Sequence, residues 1–191
     1  MNGRVQKAGG RIKGFLERRW EPLFDTLSIA AGAYNTSDTT FFSVPQGSAA
    51  KTKSDTNMVT AGQLPAPQVM RVFGIRAEAC LTDATDFGVL KKLSVDSYIR
   101  FFVGTKDYLT VPMSAISGKI YMAAGGHMTA LVQSFGAPSA KGHVFPKNAF
   151  IDILQQENFG VQWVLATAAN TLNSALKLRI YLDGYRGLEV R

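Results

Sequence analysis

The segment Ala175-Leu176-Lys177-Leu178-Arg179-Ile180-Tyr181-Leu182 alternates with a period of two. Leu176, Leu178, Ile180 and Leu182 fall on one face of an extended chain, and Lys177, Arg179 and Tyr181 on the other. This is the pattern of a half-buried strand, whose apolar side needs a second layer to cover it. Asp183-Gly184 follows, a strong turn signal, so Arg186 to Arg191 is expected to form a short return strand or an arm against a neighbour.

The rest of the chain reads as further short strands between turns. Residues 27–34 and 39–44 are expected strands, the second stopped by Pro45, and residues 46–66 carry turn formers and read as a long surface loop. Pro65 and Pro67 stiffen the approach to a long central strand over 69–81. Residues 87–93 suit a strand or a short helix. Strands over 98–103 and 108–111 pair through a turn at 104–107, and Pro112 ends the second. Strands are also expected at 119–123 and 128–135, loops across 136–149, and closing strands at 150–154 and 161–166. About eight strands in 191 residues suit an all-β sandwich of two sheets in one domain. A mixed α+β domain with helices near 84–93 and 165–175 stays open.

Charge divides the chain. Residues 1–20 hold Arg4, Lys7, Arg11, Lys13, Arg18 and Arg19 against Glu17 alone, a net +5 of the overall +7. Residues 1–24 are therefore expected to form a basic arm and 25–191 the sandwich. The arm lacks the apolar core and cleavage site of a secretory leader. Residues 12–20 can form a short amphipathic helix with Ile12, Phe15, Leu16 and Trp20 on one side. Such a helix suits packing on its own domain or a neighbouring subunit, an anionic membrane surface, or phosphate backbones with Trp20 available for stacking. No stretch approaches the roughly 20 apolar residues needed to span a bilayer.

Reaction chemistry is hard to find. Cys80 is the single cysteine and sits in an apolar run, where a buried small hydrophobe is expected; it has no second thiol for a disulfide or a Cys-rich zinc site. His127 and His143 are the only histidines and show no short ligand spacing. No serine sits in a G-x-S-x-G elbow and no phosphate-cradling glycine loop is present. The carboxylate pairs Asp83 with Asp86, Asp96 with Asp107 and Asp152 with Glu157 read as solvated surface acids. The expectation is a protein without catalytic residues, metal ligands or cofactor.

The aromatics point to contact surfaces. In the adjacent pairs Phe41-Phe42 and Phe101-Phe102, an extended chain sends one ring inward and the other to the opposite side, where a loop or another subunit must cover it. Phe159, Trp163 and Tyr181 read as core or interface anchors. The interface candidates are Phe15, Trp20, Phe42, Phe102, Tyr185, Arg186 and Arg191.

With its basic arm, its strand count, the stretch from Gln63 to Arg76, Phe102-Val103-Gly104-Thr105-Lys106-Asp107-Tyr108 and the closing run from Leu178 to Gly187, the chain resembles the single jelly-roll capsid proteins of tailless icosahedral bacteriophages. The resemblance spans residues 25–191. It implies a structural virion protein, made in the host cytoplasm, that assembles with itself and with other capsid proteins into an icosahedral shell. It further implies that Arg4, Lys7, Arg11, Lys13, Arg18 and Arg19 face the particle interior and meet genomic nucleic acid, an internal membrane or neighbouring subunits. Two alternatives stay open. A carbohydrate- or ligand-binding sandwich would use Tyr98, Tyr121 and Trp163. A nucleic-acid-binding module would need Lys51, Lys53, Lys91, Lys92, Lys177 and Arg179 on one continuous surface.

Overall fold

The alternation at the end of the chain is the inner and outer face of one long strand. In the computed structural model, which describes residues 15–34, 39–81, 95–116, 133–135, 142–146, 149–165, 170–172 and 175–189, Leu176, Leu178, Ile180 and Leu182 are at most 1% exposed. Each such side chain contributes about 2 kcal/mol of hydrophobic stabilisation. They lie on β13 (Leu176–Glu189), the central strand of the larger sheet.

The elements are β1 (Phe15–Trp20), β2 (Leu23–Ile29), β3 (Gly32–Tyr34), β4 (Thr39–Phe41), β5 (Gln68–Leu81), β6 (Ser97–Val103), β7 (Lys106–Pro112), one helical turn α1 (Met113–Ile116), β8 (Gln133–Phe135), β9 (His143–Val144), β10 (Ile151–Ile153), β11 (Phe159–Leu165), β12 (Asn170–Leu172) and β13. The larger sheet has seven strands: β1 and β2 lie along one edge of β13, β5 along the other, and β8, β9 and β10 on the far side of β5. The smaller sheet has four, in the order β4-β11-β6-β7. All described pairings within the two sheets are antiparallel. Residues of both sheets form one buried cluster, with Met70, Val72, Ile75, Leu178 and Ile180 from the larger and Phe41, Ile99, Phe101, Val161 and Trp163 from the smaller. The chain is an all-β sandwich.

The long strand over 69–81, the hairpin, its stop at Pro112 and the closing strands form as expected, with small shifts of their ends. The described residues of 165–175 are extended where a helix was an alternative: β11 runs to Leu165 and β12 covers Asn170–Leu172. The expected elements at 87–93 and 119–123 lie outside the described residues, as does all but the end of 128–135.

Three expectations are corrected. Asp183-Gly184 does not turn; β13 continues straight through it, with a bulge opposite. Asp183 pairs with Gly74 and Gly184 with Val72, leaving Phe73 as the extra residue of β5. Glycine is needed at 184 for close approach, because a Cβ there would lie 2.1 Å from the Arg71 carbonyl oxygen. The bulge also switches the phase of β5, so that Met70 and Val72 before it and Ile75, Ala77 and Ala79 after it all face the core.

The expected helix over 12–20 is overturned across 15–20, which form β1 on the end of β13, with Trp20 opposite Tyr185 and Arg18 opposite Gly187. The sheet therefore begins at Phe15, well before residue 25. The free edge of a strand longer than the sequence implies supplies backbone partners that override the helical periodicity. β1 and β2 follow one line along β13, interrupted at Glu21-Pro22, where the proline lacks an amide donor.

Phe42 does not point outward: it takes a left-handed φ of 68° and is fully buried beside Phe41. Its amide donates to the Asp25 carboxylate at 2.7 Å, and the Lys51 ammonium reaches the same carboxylate at 2.6 Å. Asp25 is 1% exposed on β2, opposite Ile180, and is satisfied by these partners. It ties down the long loop, which is more than surface: Thr56, Met58 and Leu64 are buried, and Asn57 exchanges hydrogen bonds with Phe24 along the free edge of β2.

Candidate assembly surface

Strand parity decides what the larger sheet shows on its outer side. Lys177, Arg179, Tyr181, Asp183 and Tyr185 alternate with the core leucines of β13 and face away from the smaller sheet. Register places Glu78 and Thr26 beside Arg179, Arg76 and Phe24 beside Tyr181, and Arg71 and Trp20 beside Tyr185. One face thus gathers arginines and aromatic rings from strands far apart in sequence.

Four guanidinium groups lie over rings on this face: Arg76 over Tyr181 at 3.8 Å, Arg71 over Phe150 at 4.0 Å, Arg18 over Tyr185 at 4.2 Å and Arg179 over Phe24 at 5.4 Å. Each such contact is worth about 0.5–1 kcal/mol at a half-exposed site. The rings also meet one another. Trp20 and Phe73 each meet the Tyr185 ring edge-on, with centroids 5.3 and 5.5 Å away, and Phe73 continues to Phe150 at 6.4 Å. Carboxylates fix two of the arginines, Asp152 holding Arg71 through two bonds of 2.7 and 3.0 Å and Asp183 holding Arg76 at 2.9 Å. Arg179 donates to the Thr26 hydroxyl at 2.8 Å and to the Ser54 carbonyl at 2.6 Å. The Tyr181 hydroxyl donates to Glu78 at 3.1 Å.

At the β1 end of the sheet, Arg186 donates through Nε and Nη2 to the Gln68 side-chain oxygen and through Nη1 to Glu21 at 3.2 Å. Arg19 pairs with the other Glu21 oxygen at 2.9 Å. These residues, with Glu17, Arg18, Gly187 and Leu188, line an open cleft of about 380 Å³. Trp20 stands beside it, 56% exposed. At the other end of β13, beside Arg179, the Thr52 hydroxyl and then its backbone amide donate to Asp55 and hold that carboxyl below the usual range.

The structure brings together Arg18, Trp20 and Tyr185 on the outer face, while Arg19 and Arg186 stand opposite each other on the other face of the same sheet end. Arg4, Lys7, Arg11, Lys13 and Arg191 lie outside the described residues, as does the side chain of Phe15. Phe42 is removed from the interface set by its burial. Phe102 is half-buried on the outer side of the smaller sheet, and its ring fills the space over Gly160, where a Cβ would lie 2.7 Å away. Its cover comes at least in part from its own chain. Trp163 is 1% exposed and belongs to the core, which takes it out of any sugar-binding patch; Tyr121 lies outside the described residues. His143 packs against Phe145 at 5.9 Å, and His127 is outside the described residues. Among the described residues no three His, Cys, Asp or Glu side chains cluster as a metal site would require, and no helix is long and apolar enough to cross a membrane.

Phe24, Arg71, Phe73, Arg76 and Phe150 did not emerge from the sequence as surface residues. Their association depends on register and on the β5 bulge, which no single strand's pattern contains. No family model, no curated protein and no solved structure matches the chain.

Proposed function

We propose that the chain is a single jelly-roll structural protein of a virion, assembling with itself, and with other capsid proteins, into an icosahedral shell. The observation that carries the reading is the nesting of its strand pairs. Among eight strands taken in order, β2 pairs with β13, β4 with β11, β5 with β10 and β6 with β7. First meets last at every level, as in one long antiparallel hairpin rolled up. With β1 added beside β13 and β8 and β9 beside β5, this nesting supports a jelly-roll winding of the kind used in viral shells.

The fold alone also serves lectins and cupins, so the choice among them rests on the surface. Tyr, Trp, Phe and Arg are the residue types enriched at protein interfaces, and they dominate the outer face of the larger sheet. A face held by ion pairs and ring contacts loses little freedom when a neighbour docks on it, which favours repeated weak contacts in a shell. The sequence before Phe15 is rich in basic residues, and Arg18 and Arg19 on β1 continue that charge. In this reading the arm faces the particle interior.

Deleting residues 1–14 tests the separation of arm and shell domain, because the first strand begins at Phe15. The truncated chain is expected to unfold cooperatively at an unchanged urea midpoint and to lose internal contact or assembly. Loss of cooperative unfolding would overturn the separable arm.

A further inference from the structure

Among the described residues, one edge of the larger sheet is covered along part of its length and bare along the rest. Beside β2, the loop supplies Thr56 and Asn57 as backbone partners of Asp25 and Phe24. That cover does not extend to β1, which among the described residues pairs only with β13. The residues Glu17, Arg18, Arg19 and Trp20 along this strand are all exposed.

Resting on the self-assembly reading, we infer that β1 pairs antiparallel with β1 of a second copy across a two-fold axis at Arg18, joining two larger sheets into one. Two copies of one strand related by an axis normal to the sheet keep the same residues on the same face, so a register is allowed only when residues of equal parity stand opposite. Centring the axis on Arg18 places Glu17 of each copy opposite Arg19 of the other and position 16 opposite Trp20. Centring it on Glu17 opposes Glu17 to itself, and centring it on Arg19 opposes Arg19 to itself and Glu17 to Glu21. Of the registers centred on Glu17, Arg18 or Arg19, only that on Arg18 forms two carboxylate–guanidinium pairs; centring on Trp20 would oppose Arg19 to Glu21, but that contact lies beyond the end of β1 and beside Pro22, which has no amide to donate. Opposite-charge pairs stabilise neighbouring strands while like charges oppose them.

Two competing contacts permit this register. The Arg19–Glu21 pair is solvent-exposed on its arginine side and exchanges at small cost. The two Arg18 side chains on the axis are drawn aside, each guanidinium lying over Tyr185 of its own sheet. Charged residues on an edge ordinarily discourage pairing with any strand. Opposite charges two residues apart discourage most strands and accept an antiparallel copy of themselves, so the edge selects its partner.

The test measures weight-average mass against concentration for the full chain, for Glu17→Arg, for Arg19→Glu and for the double exchange. Each single variant is expected to weaken self-association about tenfold or more, since two attractive pairs become repulsive. The double exchange is expected to restore it, with unfolding midpoints unchanged because both side chains are exposed. Single variants that associate like the unsubstituted chain, or a double exchange that does not recover, overturn the β1 pairing while leaving assembly through other surfaces intact. An unsubstituted chain that stays monomeric throughout overturns the pairing together with the assembly reading.

Discussion

Residues 176–182 and 184–189 belong to one strand and do different things. The first half sends Leu176, Leu178, Ile180 and Leu182 into the core between β2 and β5. In the second half the corresponding positions are Gly184, Arg186 and Leu188, and the neighbour on one side becomes β1, whose outward edge is bare among the described residues. Before the bulge the strand's inner face is leucine and isoleucine in the core; after it, that side is taken over by Gly184, Arg186 and Leu188, while the outer face carries ring and guanidinium contacts along both halves. A single long strand can therefore serve both the core and the outside, provided that a bulge resets the phase of its partner between the two.

The strongest test of this division replaces Ile180 with Ala. A fully buried side chain in the shared core is expected to cost about 3 kcal/mol in urea unfolding, while Arg186→Ala, at the β1 end, costs about 1 kcal/mol. Equal losses would erase the contrast. Gly184→Ala comes next, at about 2 kcal/mol, because its Cβ collides with backbone of β5; a loss below about 0.5 kcal/mol would contradict the close approach at the bulge.

Arg18→Ala sharpens the outer side of the comparison. Its removal forfeits one contact over Tyr185, so stability in urea should fall by about 0.5–1 kcal/mol while self-association weakens measurably by sedimentation. The smallest effect belongs to Asp55. Its folded pKa lies below the ordinary 3.8, so its contribution is complete above that value and disappears as pH falls further, through the folded pKa. Asp55→Asn should leave the acid end of the stability profile slightly flatter, and a profile unchanged there would remove the Thr52 contact from the account.

Much of the sandwich was legible because it depends on local pattern. Alternation over 176–182, a long apolar run into β5, and a hairpin stopped by Pro112 each carry their own signal. What misled was information that resides in a partner strand. Asp183-Gly184 reads as a turn until Arg71 is placed against Gly184, and residues 15–20 read as a helix until the end of β13 offers them a ladder. Phe42 turns inward because Asp25, seventeen positions earlier in the chain, accepts its amide. Arg18, Trp20 and Tyr185 were named separately as candidates; only register shows that they meet, and that Arg71, Phe73, Arg76 and Phe150 complete the same face.

The most direct measurement is the mass of the purified full chain by light scattering from low to physiological salt, with negative-stain imaging of any large fraction. The account predicts closed or sheet-like assemblies, or discrete rings that grow into them. A chain that remains monomeric at every salt concentration, alone and with added polyanion or anionic vesicles, would contradict it.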